Sequence, residues 1–343
     1  MPTPMLAIGM VLASLLLSAV VVRAAIGYAH RRGILDHPGQ RRSHDVPTPR
    51  GGGIGVVVAV LATVPACLRL LPSPWPATVV AGLAGAFAAV ALVGWWDDHR
   101  SLPVWPRFGV QLLAAALFCS LLMERADAWW WLPPLVVAGA WSVNLHNFMD
   151  GIDGLLALQG IFVAAGLAAI AGLAGQVALC AACACAAAAC LGFWLYNRSP
   201  ARIFMGDVGS GSLGLLLFML VAMLWRLEHR WVWPALILCS SFVADASLTL
   251  LSRMLRGRRW YAAHREHLYQ WMVRGGCSHG AAVARYLGWN VLVALPMAAA
   301  SFFVPGMALP FCVATYLVAT ATWLALKRRL VRRHAYKVCH VTT

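Results

Sequence analysis

Residues 154–173 read GLLALQGIFVAAGLAAIAGL and residues 176–196 read QVALCAACACAAAACLGFWLY, and neither stretch contains a charged side chain. A helix needs about 20 predominantly apolar residues to cross a hydrocarbon core of about 30 Å. Each stretch has that length, and only a short connection separates them. The sequence therefore predicts two neighbouring membrane-spanning helices in the middle of the chain.

Runs of the same kind continue on both sides of this pair. We expect about eleven transmembrane helices in a single domain over residues 1–343, and hence an all-α, polytopic integral membrane protein. The run at 129–146 is weakened by Pro133 and Pro134, and the run at 212–226 is short. The further runs are residues 5–29, 53–71, 77–96, 106–123, 129–146, 212–226, 231–252, 285–304 and 306–326.

The composition excludes an ordinary soluble enzyme. The chain is 61% hydrophobic and 11% charged, whereas about 25% of residues are charged in soluble domains. Its net charge of +15 is compatible with nucleic acid or anionic lipid as a partner, and the 16 Trp residues favour lipid. We therefore expect membrane lipids and no nucleic acid among its partners.

Charge also predicts the orientation in the membrane. Of the 27 Lys and Arg residues, 23 lie in loops on one side, which the positive-inside rule assigns to the cytoplasm. Nine of the 12 acidic residues lie on the same side, although the rule predicts nothing for carboxylates. We therefore expect a functional site in cytoplasmic loops at about residues 30–52, 97–105, 147–153, 197–211 and 256–284.

Two of these loops carry clusters of side chains with oxygen ligands. Asp97 and Asp98 directly follow the third span, where adjacent carboxylates bind a cation or simply form a solvated helix end. The segment 144–153 places Asn144, Asn147, Asp150 and Asp153 three residues apart. Such ligands suit Mg²⁺ or the hydroxyls of a sugar; an inert capped loop is the alternative.

The segment at 206–214 contains Gly209-x-Gly211-x-x-Gly214, a formal match to the dinucleotide-binding fingerprint. No βαβ unit surrounds it, so that function is excluded. What remains is a Gly/Ser-rich turn before a helix N-terminus, which favours phosphate, with Asp207 placed to hold a metal ion.

Basic residues and histidines fill the remaining cytoplasmic loops. Arg50 and the glycines that follow it form either a phosphate contact or a rigid turn braced by prolines. Arg202 is a second candidate for neutralising phosphate oxygens. His264, Arg265 and His267 either hold a nucleotide or are ordinary surface residues of a basic loop.

Together these segments resemble one family, the polyprenyl-phosphate N-acetylhexosamine-1-phosphate transferases of the MraY/WecA group. Five motifs carry the resemblance, in the family's order and across about residues 36–270. They are Pro-Thr-Pro-Arg-Gly-Gly at 47–52, Asp97-Asp98, the segment 144–154, Gly206-Asp207-x-Gly209-Ser210 and the loop around His267.

The resemblance implies transfer of a sugar-1-phosphate from a UDP-N-acetylhexosamine to undecaprenyl phosphate, with Mg²⁺ (or Mn²⁺) as cofactor and UMP as product. It also implies the inner membrane of a bacterium, with the active site facing the cytoplasm; a homodimer is left open. The implied metal ligands are Asp207 and Asn147; the implied catalytic residues are Asp97, Asp98, Asp150, Asp153 and His267; the implied substrate-binding residues are Arg50, Gly51, Asn144, Arg202, His264 and Arg265.

The last motif departs from the best-known members. Where WecA-type enzymes have His-Ile-His-His, this chain has His267-Leu268-Tyr269-Gln270, which looks more like the WbpL-type initiators of O-antigen synthesis. The missing His-His-His argues against the muramoyl-pentapeptide substrate of MraY. A rival function is an ion-coupled secondary transporter, which would need charged groups near the membrane midplane and broken helices there. Asp245 alone lies within a predicted span, toward its cytoplasmic half.

Overall fold

The computed structural model describes residues 3–36, 47–123, 126–259 and 264–341. It is 82% helical, and β1 (Leu35–Asp36) pairs with β2 (Thr48–Pro49) in one short antiparallel ladder. The α-helices are α1 (Thr3–Arg32), α2 (Ile54–Leu70), α3 (Ala77–His99), α4 (Val104–Leu122), α5 (Leu132–Phe148), α6 (Leu155–Leu173), α7 (Val177–Asn197), α8 (Asp207–Leu227), α9 (Val232–Leu238), α10 (Ser240–Met254), α11 (Leu268–Arg274), α12 (His279–Trp289), α13 (Leu295–Phe303) and α14 (Ala308–Val341).

Each predicted span coincides with a helix or a broken helix. Within the described ranges, eight helical segments are long and apolar enough to cross a membrane. The pair α9 and α10, bent by 76°, makes a ninth if it counts as one span. The all-α, polytopic membrane fold is confirmed, whereas the number eleven is not, because α2 and α5 have only 17 residues each.

Helix α8 lies at the centre of the bundle, packed mainly against α3 and α5. In its most apolar stretch of 18 residues, 89% of the residues are buried, a larger share than in the other candidate spans of the described chain. The sequence predicted a span beginning at residue 212, but the helix begins at Asp207. Residues 209–212 are Gly and Ser, so hydropathy scores them as a loop, although buried small residues suit close helix packing in a membrane.

Close backbone contacts fix the N-terminal turn of α8. A Cβ atom at Gly94 of α3 would clash with the backbone carbonyl of Asp207, and Gly53, just before α2, lies directly against Gly209. A Cβ at Gly214 would lie 2.5 Å from the carbonyl oxygen of Ser142 in α5. The ends of three elements therefore converge on the start of α8.

The segment before α2 is held by backbone hydrogen bonds to the segment before α8. The N–H of Gly52 donates to Phe204 O at 2.9 Å, and the N–H of Gly53 donates to Met205 O at 2.8 Å. In return, the N–H of Phe204 donates to Pro49 O at 2.8 Å. This ladder brings Arg50 to the same end of the bundle as Asp207.

Candidate active site

Polar side chains line a cavity of about 260 Å³ at the end of the bundle where α5 ends and α8 begins. Segments that are distant in sequence contribute to its wall, as the motifs predicted. The predicted site residues on this wall are Arg50, Asn147, Asp150, Asp153, Asp207 and Arg265.

Asp207 is the first residue of α8, and its carboxylate is surrounded by donors. Oδ1 accepts a hydrogen bond from Asn147 Nδ2 at 2.7 Å and lies 3.3 Å from Arg50 Nη2. Oδ2 accepts from Arg107 Nη1 at 3.1 Å. Two guanidinium groups and a helix N-terminus therefore stabilise the negative charge of Asp207.

Asp98 holds the start of α8 in place. Its Oδ1 accepts the backbone N–H of Asp207 at 2.9 Å and its Oδ2 accepts that of Val208 at 3.0 Å. Arg50 Nε lies 2.8 Å from Oδ1, and only 1% of the Asp98 side chain is exposed. Gly206 makes the approach possible, since its φ is +74° and a Cβ there would lie 2.6 Å from Asp98 Oδ2.

Asp97 points to the other side of Asp207. It forms an ion pair with Arg107 through the same Nη1 that contacts Asp207, and its Oδ1 accepts the N–H of Leu102 at 2.6 Å. Arg107 thus bridges the two carboxylates. Both carboxylates are paired with arginines and nearly buried, with 9% of the Asp97 side chain and 1% of the Asp98 side chain exposed. The alternative of a solvated helix end is therefore wrong.

Asp150 follows α5 and lines the cavity between the other charged groups. Burial raises the pKa of Asp150 to about 7; the positive charge of Arg50 opposes this shift, and the negative charges of Asp207 and Asp98 add to it. The protein groups around Asp150 therefore do not fully balance its negative charge.

Asp153 is held in a different way. Its Oδ2 lies 3.3 Å from Nδ1 of His279 and accepts the N–H of Ala201 at 3.2 Å. Although burial opposes ionisation, the hydrogen bond and charge of His279 hold the pKa of Asp153 below its ordinary value. An inert capped loop does not describe this segment, because both acids line the cavity.

Comparison with known proteins places this arrangement in a family. Residues 80–225, which include the Asp97-Asp98 pair, the Asn147 segment and Asp207, match the family described as "Glycosyl transferase family 4". A decaprenyl-phosphate N-acetylglucosaminephosphotransferase of Mycolicibacterium smegmatis is 31% identical, over 92% of this chain and 88% of that protein. The chain belongs to glycosyl transferase family 4.

Other relatives in the family span two reactions. A probable undecaprenyl-phosphate N-acetylglucosaminyl 1-phosphate transferase of Bacillus subtilis is 29% identical, over 77% of this chain and 75% of that protein. A phospho-N-acetylmuramoyl-pentapeptide-transferase of Thermosynechococcus vestitus is 30% identical, over 61% of this chain and 59% of that protein. The predicted family is confirmed, and its reaction class, sugar-phosphate transfer to a polyprenyl phosphate, is the one that these names describe.

The histidines of the family's last motif are not on the cavity wall. His267 is 2% exposed, and its ring stacks on Phe148, with 6.0 Å between the ring centroids. Burial lowers the pKa of His267. His264 lines a separate, strongly basic groove. Burial and the neighbouring charge of His267 lower the pKa of His264 to about 4.

The residues after His267 approach the cavity instead. The Tyr269 hydroxyl donates to Phe148 O at 3.0 Å and accepts from Gln270 Nε2 at 3.1 Å. Gln270 itself lines the cavity. Tyr269 fixes the end of α5 and leaves no room for a Cβ at Gly151. The Gln270 Oε1 accepts the N–H of His267 at 3.1 Å and so caps α11 at the edge of the cavity.

Three predicted substrate-binding residues lie elsewhere. Asn144 Nδ2 donates to Gln111 Oε1 at 2.6 Å and so ties α5 to α4. Arg202 is exposed and is not among the residues that line the cavity. Gly51 adopts a φ of +90°, which a residue with a side chain rarely takes, so it shapes the turn next to Arg50. Residues 37–46 of the predicted loop at 30–52 lie outside the described residues.

Sequence reasoning missed three residues that organise the site. Arg107 was counted only as a loop cation, and His279 was not singled out, although it pairs with Asp153. Asn197 accepts the N–H of Gly154 and donates to Ile203 O, at 2.9 Å each, and so joins two loops of the site. None of these carries a local signal, because the site residues that they contact, Asp207, Asp153 and Gly154, lie 100, 126 and 43 positions away in the chain.

Asp245, the residue on which the transporter hypothesis depended, has a structural role. Its Oδ1 accepts the N–H of Leu268 at 2.8 Å and Trp323 Nε1 at 2.9 Å. Its Oδ2 accepts the Tyr286 hydroxyl at 2.7 Å. Asp245 thereby ties α10, the second half of the pair that is bent by 76°, to α11, α12 and α14.

Proposed function

We propose that this protein transfers an N-acetylhexosamine-1-phosphate from a UDP-sugar to undecaprenyl phosphate at the cytoplasmic face of a bacterial inner membrane, with release of UMP. The observation that carries the proposal is the position of Asp207. Its carboxylate lies at a helix N-terminus, on a cavity wall, between Arg50 and Arg107. That arrangement suits a diphosphate and its counter-ion.

Mg²⁺ is the cofactor that we propose for this site. Within the described chain, no three His, Cys, Asp or Glu side chains form a ready-made metal site. Mg²⁺ is commonly held by one or two carboxylates together with substrate phosphates, so Asp207 is sufficient as the main protein ligand. Asn147 can assist, since rotating its amide would present an oxygen to a cation at Asp207. The incompletely balanced charge of Asp150 also favours a cation.

The two arginines would neutralise phosphate oxygens during transfer. Phosphoryl transfer depends mainly on positioning and charge stabilisation rather than on covalent groups of the protein. Asp98 holds Arg50 in place and Asp97 holds Arg107 in place, so each guanidinium group contacts Asp207 in a fixed orientation. With a cation held by Asp207, Arg50 and Arg107 would be free to contact phosphate oxygens and would keep their ion pairs with Asp98 and Asp97.

This geometry gives Asp97 a positioning role. A lipid phosphate is already ionised near pH 7, so it needs little deprotonation before it attacks the sugar diphosphate. The ion pair of Asp97 with Arg107 instead aims the guanidinium at the point where the two substrates would meet. We therefore propose that Asp97 orients Arg107 and, through it, the attacking phosphate.

The identity of the sugar belongs to the same proposal. We propose a modified N-acetylhexosamine such as those used by WbpL-type enzymes of O-antigen synthesis, because Tyr269 and Gln270 stand where WecA-type enzymes have histidines. Gln270 is the side chain of this pair that reaches the cavity. An amide there can distinguish sugar hydroxyl and acetamido groups by hydrogen bonding.

Asp207→Asn tests the proposal in membranes supplied with UDP-sugar, undecaprenyl phosphate and Mg²⁺. We expect UMP release to fall by several orders of magnitude, because the variant loses the charge that holds the cation. Glu228→Gln at the far end of α8 is the matched control, since its side chain is exposed and forms an ion pair with Arg230, at 4.0 Å, far from the cavity. Turnover of Asp207→Asn near that of the control would contradict the metal role.

A further inference from the structure

A second cavity, of about 880 Å³, lies beside the candidate active site and is strongly basic. We name it the basic groove; it lies between the end of α10, residues 264–274 and the end of α14. Among the described residues that line it, eight are Lys or Arg and one, Glu266, is acidic. Arg265 lines both this groove and the active-site cavity.

The one acid does not balance these cations. Glu266 forms an ion pair with Arg253 and another with Arg258, at 2.9 Å in the second case. Arg256 lies 3.9 Å from it. Glu266 is thus shared among three arginines on the α10 side, which leaves the opposite wall without a carboxylate among the lining residues.

That opposite wall is a face of α14. Lys327, Arg328 and Arg332 line the groove from this helix, together with the apolar side chains Leu324 and Val331. Helical spacing puts these positions on one side of α14, whereas Arg329 and Arg333 are exposed and do not line the groove. The wall therefore combines cations with apolar surface.

The environment of Lys327 indicates that the groove binds an anion. The residue is 7% exposed, and its ammonium group has no hydrogen-bond partner in the described part of the chain. It lies 4.2 Å above the centre of the Trp323 ring. Asp245 and Glu266 act on it only at a distance, because both are hydrogen-bonded to other donors. A buried ammonium without an acceptor is costly unless a ligand supplies one.

We propose that the basic groove binds the phosphate headgroup of an anionic phospholipid from the surrounding membrane. Both walls belong to helices that cross or border the bilayer, α10 and α14, and basic pockets between such helices on the cytoplasmic side suit anionic headgroups. Leu324 and Val331 are exposed beside the cations, and they offer an apolar surface to the acyl chains. A soluble phosphate compound would need no such surface.

Native mass spectrometry of the full chain in a neutral detergent tests this proposal directly. Phosphatidylglycerol and phosphatidylcholine are added in equal amounts, and we expect phosphatidylglycerol to bind preferentially. The double variant Arg328→Gln/Arg332→Gln should weaken phosphatidylglycerol binding about 30-fold, because each basic residue near an anionic headgroup contributes about 1 kcal/mol. Arg329→Gln/Arg333→Gln removes the same charge from the same helix outside the groove, and it should keep wild-type binding.

Three results would overturn the proposal. Equal binding of the two lipids to the wild type would remove the headgroup preference, and equal losses in the two double variants would make the effect one of net charge. Displacement of bound phosphatidylglycerol by inorganic phosphate or UDP would identify a soluble ligand instead. If the groove variant does not fold, Arg256→Gln, on the α10 side of the groove, replaces it and should likewise weaken phosphatidylglycerol binding. Because binding is measured without turnover, the outcome is independent of the proposed transferase activity.

Discussion

The carboxylate of Asp98 accepts the backbone N–H of Asp207 at 2.9 Å, although 109 positions separate these residues in the chain. The acid of one motif thus fixes the helix on which the acid of another motif stands. The second oxygen of Asp98 accepts the next N–H, that of Val208. This relationship assigns different tasks to the two buried acids, since Asp98 positions the helix and Asp207 faces the cavity.

Asp98→Ala should therefore lower stability as well as activity. Removing a side chain that accepts hydrogen bonds at a helix N-terminus costs about 1–2 kcal/mol, and here the variant also leaves Arg50 without its anchor. We expect a lower midpoint of thermal unfolding in detergent together with reduced UMP release. Asp207→Asn should lose UMP release without a comparable drop in that midpoint. Identical stability losses in the two variants would contradict this division of roles.

Arg107→Gln should reduce turnover about 10²–10³-fold, as expected when a charge-stabilising donor is removed from an active site. The variant leaves Asp97 and Asp207 without the guanidinium that they share. UMP release under saturating UDP-sugar measures the effect. Arg100→Gln, an exposed cation just after α3, is the control and should retain near-normal turnover. A similar loss in both variants would show that Arg107 acts only through membrane-surface charge.

Gly94→Ala should separate α3 from α8. A Cβ at Gly94 would clash with the backbone carbonyl of Asp207, and overpacking of this kind costs about 1–3 kcal/mol. We expect a lower unfolding midpoint and reduced UMP release. Gly85→Ala on the same helix is the matched control, because a Cβ there meets no atom within 4 Å. If both substitutions behave alike, the close contact of α3 with α8 does not limit the site.

Asp150→Asn should change the pH dependence of stability in the metal-free protein. The folded-state pKa of about 7 lies above the value of about 4 in an unfolded chain, so the folded state binds more protons over this interval. The stability that the protonated Asp150 contributes is complete below about pH 4 and is lost as the pH rises through 7. The variant should therefore gain in unfolding midpoint relative to the wild type between pH 5 and 8, measured in EDTA.

Asp153→Asn provides the comparison of opposite sign. The pKa of Asp153 is lowered in the folded protein, chiefly by the hydrogen bond from His279 against the effect of burial, so its ionised form stabilises the fold. That contribution is present above about pH 4 and is lost at lower pH. We expect this variant to be less stable than the wild type at pH 7. Parallel pH profiles for the two variants would contradict the assignment of both groups.

The sequence was sufficient to predict the fold class and to predict that motifs distant in the chain form one site. Apolar runs define the spans because length and hydropathy act locally, and the acids clustered on one side because several loops build one site. The start of α8 was placed five residues too late, at residue 212 instead of Asp207, since hydropathy does not register small residues that pack closely. The number of spans also depends on short helices such as α2, whose 17 residues leave it below the usual length.

The roles of individual site residues were harder to predict. Asp98 looked like a second catalytic acid, but its function depends on a backbone N–H that only the folded chain brings near. The sequence did not predict that Arg107 pairs with Asp207 or that His279 pairs with Asp153, since each pair joins different helices or loops. His267 matches a family motif, yet it packs against Phe148 away from the cavity. Motif spacing identifies which residues gather, whereas side-chain direction requires the structure.

The most direct measurement is the identification of both products when the purified protein is supplied with UDP-N-acetylhexosamine, undecaprenyl phosphate and Mg²⁺. Mass spectrometry of the lipid extract and chromatography of the nucleotide are carried out on the same sample. We expect a lipid that carries the sugar through a diphosphate, formed together with an equal amount of UMP and abolished by Asp207→Asn. Release of UDP, with the sugar attached to the lipid through a single phosphate, would contradict sugar-1-phosphate transfer at this site.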